Sequence, residues 1–83
     1  MVIRLHPHAR ERMAERGATE AEVIETVQAG ESVPTRLGRI AFRRNFPYNA
    51  EWRGKLYSTK QVEAIAVRED EIWLVITVVV RYF

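Results

Sequence analysis

Apolar residues follow two different rhythms along the chain. In the first thirty positions they recur one helical turn apart. Ala9 and Met13 are spaced in this way, Pro7 suits a first helical turn because its missing N–H is not needed there, and Gly17 is a natural stop. This predicts a helix over residues 7–16. Thr19 and Glu22 then form a capping box, flanked by Ala18 and Val23 as a weak hydrophobic staple. Val23, Ile24 and Val27 follow at helical spacing and Gly30 closes the segment, so a second helix is expected over about residues 20–29.

Past residue 38 the period becomes two. Ile40, Phe42 and Phe46 share one side of a strand, with Arg39, Arg43 and Asn45 on the other. Pro47, Asn49 and Gly54 suggest a long irregular connection, and a second strand is expected over about residues 56–67. A polar turn at residues 68–71 leads into a final strand that is apolar on both faces, as a central strand would be. Strict alternation assigns Ile72, Leu74, Ile76, Val78 and Val80 to the helices. It leaves Trp73, Val75, Thr77, Val79, Arg81 and Phe83 on an open face. The order implies an α+β fold: two N-terminal helices packed on one face of an antiparallel sheet of three to four strands, the fourth a short edge strand at residues 2–5. At 83 residues, residues 1–83 read as a single domain.

Composition narrows the chemistry. The chain is 47% hydrophobic and 29% charged, which is globular and not disordered. Absence of cysteine excludes a disulfide framework, thiolate metal ligation and a cysteine nucleophile. No carboxylate–histidine spacing suggests a metal and no glycine-rich loop suggests a phosphate cradle, so no cofactor is expected. No apolar run is long enough to span a bilayer and the first residues lack a signal-peptide pattern, so the cytoplasm is the expected compartment.

Net charge is only +2, but it is unevenly spread. Residues 17–35 hold four glutamates and no Lys or Arg, whereas residues 36–60 hold seven Lys or Arg against Glu51 alone. A basic block interleaved with Phe42, Phe46, Tyr48, Trp52 and Tyr57 suits a polyanion with unpaired bases. Arg39, Arg43, Arg44, Arg53, Lys55, Lys60 and Arg81 are the candidate nucleic-acid contacts. The competing reading makes the aromatics core and the arginines a solvated edge that discourages strand pairing.

A second constellation has chemical potential. His8, Arg12 and Arg16 stand at i, i+4 and i+8 of the first helix and form a row along it. An imidazole moves protons near neutral pH, and guanidinium groups stabilise charge developing on a phosphate. The alternative is that Arg12 and Arg16 pair with Glu11, Glu15 or sheet carboxylates while His8 serves as a cap. Thr77 and Arg81 share a strand face, although threonine also suits a valine-rich strand for packing alone.

The run His8-Ala9-Arg10-Glu11-Arg12-Met13-Ala14-Glu15-Arg16-Gly17 resembles a bacterial and archaeal family, domain-of-unknown-function family four-two-five-eight. Phe46-Pro47-Tyr48, Trp52-Arg53-Gly54-Lys55, Tyr57, Thr59-Lys60-Gln61-Val62 and Ile76-Thr77-Val78 are similar to that family too, so the resemblance covers nearly the whole chain. The family is grouped with the barnase, EndoU, colicin-type and RelE-like ribonuclease superfamily. The resemblance implies two helices before an antiparallel sheet and a metal-independent endoribonuclease of toxin type. It implies His8, Arg12, Arg16 and Thr77 as active positions. RNA is the expected partner, with a small acidic antitoxin-like protein or a second copy of the chain as a further one. A nucleic-acid-binding module without catalysis and a protein-interaction domain are the alternative functions.

Overall fold

The structure, a computed structural model, describes residues 2–83. Its elements are β1 (Val2–Leu5), α1 (Pro7–Arg16), α2 (Glu20–Ala29), β2 (Glu31–Pro34), β3 (Ile40–Trp52), β4 (Lys55–Glu69) and β5 (Ile72–Tyr82). The fold is α+β, and no helix is long and apolar enough to cross a membrane.

Both helices lie where the pattern puts them. His6 is the N-cap of α1, its Nδ1 accepting the His8 backbone N–H at 3.0 Å, and Pro7 occupies the first turn. Gly17 adopts the left-handed conformation at φ 81°, and its N–H donates to the Met13 carbonyl. In α2 the capping box is complete: Thr19 Oγ1 accepts from the Glu22 N–H, and Glu22 Oε1 accepts from the Thr19 N–H.

The sheet departs from expectation in three respects. It has five strands in the order β1-β5-β4-β3-β2, and it is mixed, because β1 runs parallel to β5 while the other pairs are antiparallel. The unforeseen strand is β2, four residues ending in Pro34; its brevity and its proline suit an edge and leave little periodicity to read. The expected irregular connection at residues 47–57 is a continuous extension of the β3–β4 hairpin. Pro47 and Asn49 fall at a register shift in β3, and Arg53 and Gly54, both at positive φ, make the tip.

The third departure is a bulge in β5. Ile65 pairs with Thr77 but Ala66 pairs with Val75, so Ile76 is an extra residue and the alternation changes phase. N-terminal to it, Trp73 and Val75 face the helices; C-terminal to it, Val78 and Val80 do. Trp73 meets Phe42 edge-to-face at 5.1 Å and Val75 is fully buried, so neither belongs to the open face. Leu74 moves the other way, pairing in register with Val67 and Arg4 on the open side.

The core lies between the helices and this sheet face. It is built from Ala9, Met13, Val23, Val27, Phe42, Val62, Ala64, Ala66, Val75 and Val78. Each fully buried valine contributes about 1.5–3 kcal/mol. The alanines at the middle of β4 let the helices lie close to the sheet.

Candidate functional site

Three surfaces bear on function. The first lies at the N-terminus of α1. The β1 strand ends beside Val75, where the His6 N–H donates to the Val75 carbonyl at 2.9 Å, and the chain turns into the helix. That turn and the β5 bulge bring His6, His8, Arg39, Ile76 and Thr77 around one open pocket of about 340 Å³. His6 has committed Nδ1 to the cap, so Nε2 is the nitrogen it keeps for a ligand. His8 makes no side-chain hydrogen bond among the described residues, and Arg39 forms no ion pair there.

His8 and Thr77 therefore share a pocket, but Arg12 and Arg16 do not line it. Arg12 pairs with Glu15 at 2.7 Å, one of the carboxylates foreseen for it. Arg16 turns to the sheet, where its Nη1 donates to the Val78 carbonyl at 2.6 Å, a backbone partner that helix spacing does not reveal. Arg39 takes their place. Its candidacy came from the basic block, and its proximity to His8 depends on sheet pairing distant in sequence.

The second surface is the hairpin end. Trp52 stacks on Tyr82 at 5.0 Å, Tyr48 and Tyr57 flank Tyr82, and the cluster covers the end of α1. Side chains here take the last carbonyls of that helix: Arg53 Nη2 donates to Glu15 O, Tyr82 Oη to Arg16 O and Lys60 Nζ to Gly17 O. Lys60 is buried, lies 2.9 Å from Glu22 and sits over the Tyr48 ring. It thus links β4 to both helices, its ammonium already partnered by Glu22 and the Gly17 carbonyl. Burial alone would raise the Glu22 carboxyl, but the Thr19 N–H and the Lys60 ammonium outweigh it and hold the group below its ordinary value. Burial is also the main cause of the raised Tyr82 phenol.

The third surface is the open sheet face. Arg43, Glu63 and Val79 pair in one row, with Asn45, Gln61 and Arg81 in the next. Arg43 Nε and Arg81 Nη1 both donate to Glu63 Oε1, at 2.9 and 2.8 Å. Burial pushes the Glu63 carboxyl upward, but hydrogen bonds from Arg81 and Arg43 overcome it and leave the group lowered. The basic block is thus divided between faces. Arg44 lies near Glu25 and over Phe46, Arg53 sits over Trp52 and Lys55 over Tyr57, while Arg39, Arg43 and Arg81 belong to the open side.

No family model, curated protein or solved structure matches this chain.

Proposed function

We propose that the protein is a small metal-independent endoribonuclease of RelE-like toxin type, acting at the pocket of His8 and Thr77. The observation that supports this reading is that His6, His8, Arg39 and Thr77 line one open pocket of about 340 Å³ beside a helix N-terminus. His8 takes the proton of a ribose 2′-hydroxyl. That oxygen attacks the adjacent phosphorus, the bond to the 5′-oxygen breaks, and the departing oxygen takes a proton from solvent, the hydroxide so formed recovering the proton held by His8. The products are a 2′,3′-cyclic phosphate and a 5′-hydroxyl. Arg39 faces the charge that grows on the phosphate, while Thr77 Oγ1 and His6 Nε2 orient it.

Replacing His8 with alanine is expected to lower cleavage of single-stranded RNA about 100-fold or more, the usual share of a proton-transfer group, with the melting temperature unchanged. Cleavage by the native protein should persist in a chelator. Full activity in the folded variant would remove His8 from the mechanism.

A further inference from the structure

We infer that Arg43 and Arg81, bridged by Glu63, form a phosphate-binding site on the open face of the sheet, separate from the histidine pocket. The inference rests on the RNA reading above and assigns this site the next phosphates of the same strand.

Three observations carry it. Both guanidiniums donate to one carboxylate oxygen, so the two cations are held side by side at a fixed spacing. One carboxylate neutralises only one of them, and the trio keeps a positive charge. Each arginine also keeps unused N–H groups, since Arg43 spends Nε, and Arg81 spends Nη1 on Glu63 and Gln61.

Accessibility agrees. The Glu63 side chain is 9% exposed, whereas those of Arg43 and Arg81 are 41% and 45% exposed. The acid is therefore a buried pedestal beneath two cations open to solvent. A buried carboxylate is a poor device for stability, because apolar replacements of similar volume commonly do as well. It is an effective device for positioning two arginines, which present planar, multi-donor groups suited to phosphate. Gln61 extends the network by donating to Asn45 Oδ1 at 3.1 Å. Thr77, Val79 and Arg81 alternate along β5, so a strand leaving the pocket at Thr77 meets this site by following β5.

The test is binding of a short 2′-O-methyl oligoribonucleotide, measured in a His8→Ala background so that cleavage does not enter. Arg81→Gln should weaken affinity about tenfold and make the log–log salt slope shallower by about 0.7, one phosphate contact. Arg43→Gln should act in the same direction. Glu63→Gln keeps the shape but removes the negative charge, and it should raise affinity about fourfold, the effect of one charge about 5 Å away in water. Opposite signs for the acid and its arginines separate an anion site from a structural trio.

Unchanged affinity in both arginine variants would overturn the inference, as would equal weakening by Glu63→Gln. So would loss of binding to a glutamate-rich peptide with RNA affinity intact, which would indicate a protein partner. Because cleavage is absent throughout, failure of the endoribonuclease reading does not decide this result.

Discussion

Gly17 illustrates how much one position can carry. Its left-handed backbone ends α1, its carbonyl receives Lys60, and its missing side chain leaves room for the aromatic cluster. A Cβ there would stand 2.6 Å from Tyr82 Oη and 2.7 Å from the Trp52 ring. Gly17→Ala therefore combines backbone strain with overpacking and should cost about 2–4 kcal/mol. Calorimetry should find melting lowered by about 10–20 °C, and an unchanged melting temperature would contradict this packing. The role of Gly17 as a helix stop was legible in the sequence, because stops are local. The rings above it were not, since Trp52 and Tyr82 reach it only through the folded sheet. The partners of Lys60 are hidden for the same reason. In sequence it belongs to a basic run, and only the register of β4 under the helices shows it paired with Glu22.

At the scale of elements, helices were legible to the residue because caps and 3.6-residue spacing are local chemistry. Thr19 and Glu22 specify the start of α2 by themselves. Strands depend on partners, and here the pattern misled at β2 and across the bulge at Ile76. A single inserted residue reversed the assignment of Trp73, Val75 and Leu74, which strict alternation cannot foresee. The Lys60–Glu22 pair joins β4 to α2, and breaking it should cost about 3–5 kcal/mol in Lys60→Met. Its pH dependence follows from the direction of the Glu22 shift. A carboxyl held below its ordinary value, near 4.5, stabilises the fold above that pH and loses this effect as pH falls through the folded value. Without Lys60 less of that effect exists to lose. The gap in stability between native protein and Lys60→Met should therefore be widest above the ordinary value near 4.5 and narrow as pH falls below it. Denaturant titrations across that range test it, and a constant gap would show that Lys60 does not act on Glu22.

For the whole molecule, the sheet divides charge that the sequence displays as one block. Arg44, Arg53 and Lys60 are drawn to the helix side by Glu25, Glu15 O and Glu22, leaving Arg39, Arg43 and Arg81 on the open side. The candidate site was half legible. His8 and Thr77 stand out in the sequence as candidates, but only folding brings them to one pocket. Arg39 lines the pocket and Arg12 and Arg16 do not, because the turn before β3, the bulge of β5 and the start of α1 come together there. The most direct test of an RNA site at this pocket is an amide chemical-shift map of the labelled protein titrated with a 2′-O-methyl oligoribonucleotide. The expected result is a set of shifts at His6, His8, Ile76 and Thr77 that continues along β5 to Arg81. Shifts confined to the helical face around Glu22 and Glu25, or no shifts at saturating oligonucleotide, would contradict it.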